Sequence, residues 1–289
     1  MAWIGGLAQW QEDRTAYISV AFSWKLKEAK NLALYWKERG YAVMVGGTIL
    51  GIPQNAKMFT GIAQMGGTVD ALVHHNPDAT IASRGCPVGC WFCVVPKLEG
   101  KRFTFIPDFV PRPILCDNNL SALPVEYQNH IIRRYQETDT PLMDANSGFE
   151  PSTFDEDTYH RWKQINKGAW RFAFDEMKEM KDVERMARIL KDESGSRKRV
   201  YVLIGNEPIA SCYERAQKVR EWECEPYCQP VLSLNALDRH QYLIRHDWTP
   251  ELLNGFARYY DRWIWRSGKI GLKDYSIGGR KLFAWVKLS

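Results

Sequence analysis

Cysteine is missing from residues 1–85 of this 289-residue chain, and three of its seven cysteines then fall within eight residues. An odd number of thiols fits no closed disulfide framework, which leaves reduced thiols, metal ligation or catalysis. No apolar run approaches the roughly 18 residues of a spanning helix, so no membrane partner is expected. The opening Met-Ala-Trp-Ile-Gly-Gly lacks the basic-then-apolar order of a secretory leader. A cytoplasmic location is the expectation. Internal repeats and low-complexity tracts are also missing. The net charge of +5 permits a nucleic-acid or phosphate-bearing partner but is too small to imply one. What the chain has in excess is rings: 12 Trp, 13 Tyr and 12 Phe.

Residues 16–24 are apolar and rich in strand formers, and read as a buried strand. Lys25–Arg39 mixes Leu32, Leu34, Tyr35 and Trp36 with charges and stops at Gly40, the pattern of a helix with a glycine end. Tyr41–Val45 is a second strand closed by Gly46 and Gly47. Together they predict a right-handed βαβ unit with parallel strands. The glycine pair lacks the spacing of a dinucleotide fingerprint and is expected to make a turn.

From residue 79 onward strands and helices alternate. Strands are expected at Ala79–Ser83, Pro113–Asp117, Pro141–Ala145, Trp170–Asp175, Val200–Gly205 and Tyr227–Leu232. Helices are expected at Pro124–Glu137, Thr158–Asn166, Val183–Asp192 and Ile209–Glu221. Repeated βα units predict a parallel sheet with helices outside, open or curled into a barrel. Ligands of such sheets bind at the carboxyl ends of the strands, so the residues just past each strand are the candidates. The basic stretch 194–199 reads as a solvated connection.

Cys86, Cys90 and Cys93 follow the first of these strands in the spacing Cys-x3-Cys-x2-Cys, with glycines at 85 and 89. Three thiolates on one loop can hold three irons of a 4Fe-4S cluster and leave the fourth iron open to substrate. A structural zinc site would need a fourth ligand and favours paired Cys-x2-Cys knuckles. With Phe92 just before the last cysteine, these residues resemble the signature of the radical S-adenosylmethionine superfamily.

That resemblance covers residues 76–235 and implies an α/β fold with a partial or full parallel (βα)6 barrel. It implies that the open iron chelates the methionine amine and carboxylate of S-adenosylmethionine. One electron, from a reductant such as flavodoxin or ferredoxin, then releases a 5′-deoxyadenosyl radical that takes hydrogen from a substrate. That substrate is unidentified; a nucleotide or nucleic-acid base is one option. Phe92 is expected against the adenine, and Asp117 or Asn118 on the methionine amine, although this segment departs from the family's frequent Gly-Gly-Glu. Asp144, Asn146 and Asp175 end later strands and suit ribose hydroxyls or substrate. Gly205 and Glu207 fall in a segment resembling the family's adenine-side strand. For each polar residue, a cap or loop hydrogen bond is the competing role. Cys116, at a strand end, is a candidate hydrogen-atom donor, with core packing as its other reading.

Residues 1–75 resemble a truncated, Rossmann-like remnant of the cobalamin-binding domain of one radical subgroup. The Asp-x-His-x-x-Gly ligand motif is missing and no histidine precedes His74, so cobalamin is not expected, and a sheet extension burying the barrel's open edge is. A cobalamin-dependent radical methyltransferase stays as an alternative, as does a non-catalytic iron-sulfur electron-transfer or nucleic-acid-binding protein. Cys212, Cys224 and Cys228 read as buried small apolar residues, with an auxiliary cluster as the competing reading. The extension 236–289 is expected to pack on the barrel through an amphipathic helix carrying Phe256, Tyr260, Trp263 and, later, Ile270. Its interleaved arginines and rings also suit nucleic acid. Residues 267–289 are expected to cover the barrel mouth opposite Phe92, with Tyr275, Gly278, Gly279 and Arg280 as a closing flap. His240, His246 and Asp247 lack metal-ligand spacing and read as loop residues.

Overall fold

A computed structural model describes residues 3–66, 71–234 and 236–287. The first sheet has the order β1 (Leu7–Glu12), β2 (Thr15–Val20), β3 (Ala42–Gly46), β4 (Gln64–Met65). β1 and β2 form an antiparallel hairpin with Leu7 opposite Val20 and Glu12 opposite Thr15. Asp13 turns it at φ 51°, a left-handed conformation that aspartate tolerates. β2, β3 and β4 run parallel, and α1 (Leu26–Glu38) makes the crossover between β2 and β3. The expected βαβ unit is present, flanked by one strand on each side. Its first strand stops at Val20 rather than continuing to 24, because residues 23–25 already turn into the helix. Ile18, Val20, Leu26, Ala29, Val43, Val45 and Phe59 form a small core. Ala29 and Ala33 on α1 are fully buried, and their short side chains let the helix lie close to the sheet.

The rest of the chain has a second and larger core. β5 (Ala79–Thr80), β8 (Ile114–Leu115) and β9 (Asp144–Ala145) form one parallel sheet, and a hairpin of β6 (Ser83–Arg84) and β7 (Thr104–Phe105) is inserted after β5. β10 (Trp170–Phe174), β11 (Lys198–Ile204) and β12 (Glu225–Pro230) form a second parallel sheet. The seam between the two is bonded: Lys167 N–H donates to Leu142 O at 2.8 Å and Phe149 N–H to Arg171 O at 2.8 Å. Six parallel strands therefore succeed one another in chain order. Between them run α2 (Val125–Glu137), α3 (Glu156–Lys163), α4 (Met180–Ile189) and α5 (Ile209–Glu221). The fold is mixed α/β with parallel sheets and no closed barrel among the described residues.

The expected strands at 79–83, 113–117 and 141–145 shrink to two-residue ladders. Prolines 113 and 141 open two of them without an N–H to donate, and Met143 and Asp144 N–H share one acceptor, Pro113 O. The expectation of a solvated 194–199 holds for Ser194, Gly195 and Ser196, which are exposed, and is corrected from Arg197 on. Lys198 is buried at the start of β11, and Arg197 pairs with Glu193 at 2.7 Å.

The large core is ring-rich. Phe149 packs on Trp170 at 5.2 Å and Trp162 at 5.6 Å, and Phe154 on Phe172 at 4.8 Å. The Trp162 indole, fully buried, donates to Gln128 Oε1 at 2.8 Å, so its polar atom does not go unpaired.

α6 (Pro250–Asp261) starts with Thr249, whose hydroxyl accepts from Leu252 N at 3.3 Å, and with proline at its first position. It covers β12, where Asp261 Oδ1 accepts from Cys228 N at 2.7 Å. An otherwise open sheet edge is thereby closed. Trp263, at φ 53°, ends the helix and is exposed, as is Ile270. The helix face is therefore Phe256, Tyr259 and Tyr260, all buried, rather than one extending to Trp263 and Ile270. The hairpin β13 (Ser276–Ile277) and β14 (Arg280–Lys281) packs behind it. Tyr275 lies 5.5 Å from Tyr259 and Phe283 5.9 Å from Phe256. Leu272, Tyr275, Phe283 and Val286 thus join the large core beside Phe256 and Tyr259 of α6, and no residue of 267–287 lines the large cavity beside the cysteine loop, which corrects the expectation of a flap opposite Phe92.

Candidate metal centre

The cysteine segment leaves β6 and returns along β7. Gly85, at φ +89°, turns it, and a Cβ there would collide with Arg102 O; only glycine fits. Cys86 N–H donates to Gly100 O at 3.2 Å and Cys93 N–H to Cys90 O at 3.1 Å. After Cys93 the short helix Val95–Leu98 leads to Glu99. That carboxylate ties the loop together: Oε1 pairs with Arg84 Nη1 at 3.1 Å, and Oε2 accepts from Gly85 N at 3.1 Å and Asn118 Nδ2 at 2.6 Å. Charge-assisted bonds of this kind are the stronger ones. Nothing in the sequence pattern marks Glu99, whose partners lie 14 to 19 residues away.

Asp117 holds the loop's other end. It is fully buried and accepts from Ala82 N at 2.8 Å and from the Ser83 hydroxyl. Burial pushes its carboxyl up to about 6. With both oxygens engaged it positions the loop, and it is not placed to meet the methionine amine. Asn118, half-buried between Gly85 O at 3.3 Å and Glu99, keeps an open side.

Cys86, Cys90 and Cys93 are free and half-buried. Burial first, then the nearby Asp175 carboxyl and the Cys93 thiol, push Cys90 up to about 12; burial pushes Cys93 up too. Bare thiolates there are costly, and positive metal ions are what offsets that cost. Among the described residues no three His, Cys, Asp or Glu side chains converge on one ion. A cluster makes no such demand, since each thiolate binds a different iron. Asn119 Nδ2 lies 3.7 Å from Cys86 Sγ, a side-chain donor to one ligand sulfur. The donor set and the glycine-turned loop fit an iron-sulfur cluster.

Beside the loop lies a cavity of about 1170 Å³, above the roughly 300–1,000 Å³ of ordinary small-molecule sites. One wall is the end of the first sheet, with Ala21, Gly47 and Thr48 just past β2 and β3. The lining also holds Ile81, Cys116 and Asn146, just past β5, β8 and β9, with Arg84, Glu99 and Asn118. Carboxyl ends of two sets of parallel strands thus border one space. The first sheet docks beside the cysteine loop, where a Cβ on Gly51 would come within 2.9 Å of Leu98. Asn146 Nδ2 lies 3.9 Å from Cys116 Sγ. Burial and the charges of Asp144 and Asp117 push the Cys116 thiol up to about 12.

The structure therefore brings Cys116, Asn118 and Asn146 together, next to the loop of Cys86, Cys90 and Cys93. The Asp175 carboxyl also approaches the loop, close enough to act on the Cys90 and Cys93 thiols, and the remaining expected contacts have separate partners. Phe92 is half-buried, edge-on to Trp91 at 5.4 Å. Asp144 pairs with Arg171 at 2.9 Å, and Arg171 also donates to Tyr201 at 3.0 Å. Asp175 is half-buried, and burial and Glu179 push it up to about 8. Gly205, at φ +99°, lies against Leu253 and Leu243 O, so its close approach is to the C-terminal extension. Glu207 faces the wholly buried Arg215 at 3.1 Å. Cys212, Cys224 and Cys228 are buried. In the basic-aromatic stretch Tyr259 and Tyr260 are buried and Arg266 pairs with Glu225, while Arg258, Arg262 and Trp263 are exposed. Among the described residues no helix is long and apolar enough to cross a membrane. No protein-family model and no curated protein sequence matches the chain.

Proposed function

We propose that the chain is a radical S-adenosylmethionine enzyme whose six successive parallel strands form a partial barrel. The observation carrying this reading is the loop of Cys86, Cys90 and Cys93 set at the end of the first strand, beside a cavity large enough for a cofactor and a substrate. The three thiolates would hold a 4Fe-4S cluster and leave one iron for S-adenosylmethionine. When bound and reduced by one electron, these groups supply a 5′-deoxyadenosyl radical able to take hydrogen from an unreactive C–H bond.

The chain's own residues bind, orient and shield. Asn118 presents an amide toward the cavity and is oriented by Glu99. Asp117 fixes Ala82 and Ser83, and with them the entry into the loop. Cys116 keeps its proton on Sγ at neutral pH, the state required of a hydrogen-atom donor, beside the Asn146 amide. Trp3, Phe22, Ile106 and Phe109 line the same space and give it apolar walls. The first sheet is a roof over that space.

Anaerobic reconstitution of the full chain tests the reading. We expect about four irons and four sulfides per chain, an electron paramagnetic resonance signal on reduction that changes when S-adenosylmethionine is added, and 5′-deoxyadenosine as product. A single bound metal without sulfide would overturn it.

A further inference from the structure

The large cavity divides its lining by polarity. Arg84, Glu99, Asn118 and Asn146 give it a polar end at the cysteine loop. Much of the rest is apolar: Trp3, Phe22, Ile81, Ile106, Phe109 and Val110. Four of these six are also exposed, Val110 at 61% and Trp3 at 44% the most, so the apolar part opens to solvent. Phe22 is exposed yet held in place. Its ring stacks on Trp24 at 4.6 Å and lies against Gly6, where a Cβ would run into it. Among the described residues the lining holds two arginines. Arg84 is paired with Glu99 at 3.1 Å. Arg112 is half-buried, donates to Pro77 O, and among the described residues pairs with no carboxylate. Asp108, the other acid of the lining besides Glu99, is exposed and stays hydrated. His75 is buried and bonded to Ser19 at 2.9 Å; burial holds it below its ordinary 6.5, so it adds no charge at neutral pH.

Arg112 and Cys116 flank β8 on opposite sides. The chain between them is extended, with Ile114 N–H donating to Asp78 O at 2.9 Å and Cys116 N–H to Thr80 O at 2.8 Å. Four residues of such chain span about 13 Å. We propose that the cavity takes an anionic amphiphile as substrate, its carboxylate or phosphate on Arg112 and its hydrocarbon body along β8 toward Cys116. Its role as substrate rests on the radical reading above; the binding site itself does not. A half-buried guanidinium without a carboxylate is completed by an anion, and exposed apolar walls are completed by hydrocarbon. Hydrocarbon also presents the unreactive C–H bonds for which such a radical is suited. A nucleotide is disfavoured, because its phosphate charges would meet a single arginine not already paired.

The test titrates the reconstituted full chain with hexyl, octyl and decyl phosphate, each below its micelle concentration, by isothermal calorimetry. Affinity should rise about fourfold for each added methylene. Arg112→Gln should weaken decyl phosphate about tenfold, and Val110→Asp, at an exposed position in neither apolar core, should weaken the whole series. Should Arg112→Gln fail to fold, the parent chain decides instead: decyltrimethylammonium should bind about tenfold or more weakly than decyl phosphate. Cosedimentation with vesicles of phosphatidylcholine and phosphatidate would support a membrane lipid as the source of the amphiphile. Binding of decyl phosphate without cosedimentation would support a soluble one. An affinity indifferent to chain length or to the sign of the head overturns the site, as does tighter binding of uridine 5′-monophosphate than of decyl phosphate. A chain that assembles its cluster and binds no alkyl phosphate overturns the site alone. One that binds them and assembles no cluster overturns the radical reading and, with it, their role as substrate.

Discussion

In the sheet of β10, β11 and β12 the strands run five to seven residues, whereas β5, β8 and β9 contribute two each. The long strands alternate in the usual way. Trp170, Phe172, Phe174, Val200 and Val202 enter the core, while Arg171 and Tyr201 meet on the other face. The short strands have little ladder to hold them and depend on side chains. Asp117 ties Ala82 and Ser83, the Tyr127 hydroxyl donates to Ala82 O at 2.6 Å, and Glu99 ties Arg84, Gly85 and Asn118. One half is stable through its ladder and core. The other spends its backbone on a loop that must present thiols, so point contacts hold it in place. The half that holds the cysteine loop is the half with the shorter strand ladders.

Breaking each half separately tests this division. The largest effect belongs to Cys93→Ala. Iron and sulfide should fall to background and cofactor cleavage should stop, measured by colorimetric assay and by chromatography of 5′-deoxyadenosine. Thermal unfolding of the apo-chain should barely move, because Cys93 lies in neither apolar core. In the other half, Arg215 is wholly buried and donates to Phe174 O and, at 2.8 Å, to Leu203 O while facing Glu207. Arg215→Ala leaves those acceptors and a carboxylate unmatched and should cost about 3–5 kcal/mol, read by urea unfolding. Iron per folded chain should stay near the parent value. Equal loss of iron in both variants would erase the distinction.

A smaller effect sharpens the picture at the joint. Asp117→Ala removes the acceptor of a buried N–H and should cost about 1–3 kcal/mol. Because it frees the start of the cysteine loop, its iron should also dissociate faster under a chelator than in the parent. The remaining effect depends on pH. Burial raises Asp261 from its ordinary 3.8 to about 7, so the folded chain holds this proton more tightly than the unfolded chain. The resulting stability is complete below about pH 4 and is lost as pH rises to about 7. Asp261→Asn keeps an acceptor for Cys228 N and removes that titration. Between pH 4 and 7 the parent's urea midpoint should fall relative to the variant's, and above pH 7 the gap should stay constant. Parallel curves would show that Asp261 does not titrate in this window.

Much of the architecture was legible because it rests on local pattern. The helix at Ile209–Glu221 was expected with the observed bounds, and the six strands appear in the expected order. The loop of Cys86, Cys90 and Cys93 was legible because its thiols are close in sequence. What escaped depends on distant partners. β1 lies in a polar stretch and is a strand only because β2 pairs with it. Glu99 gains its role from Arg84, Gly85 and Asn118. Asp117 and Asp144 look alike as acidic strand ends, yet one is sealed against Ser83 and the other pairs with Arg171. Spacing does not distinguish those fates. Trp263 fitted a helical face by period alone, and a left-handed backbone takes it off that face.

The Ser23 hydroxyl, just past β2, donates to the carbonyl of Ala236 across 213 residues. The roof of the cavity is thus made early in synthesis and fastened late. At about 5–20 residues per second, the ribosome needs about 10–40 s to deliver that acceptor after Ser23 itself. For most of that interval, once residues up to Met65 have been made, the small sheet has all the residues of its own core but lacks this far anchor, and the space beside it stays open. Slow synonymous codons placed between the two positions would lengthen that open period, and the yield of iron-loaded protein would report whether the cell uses it.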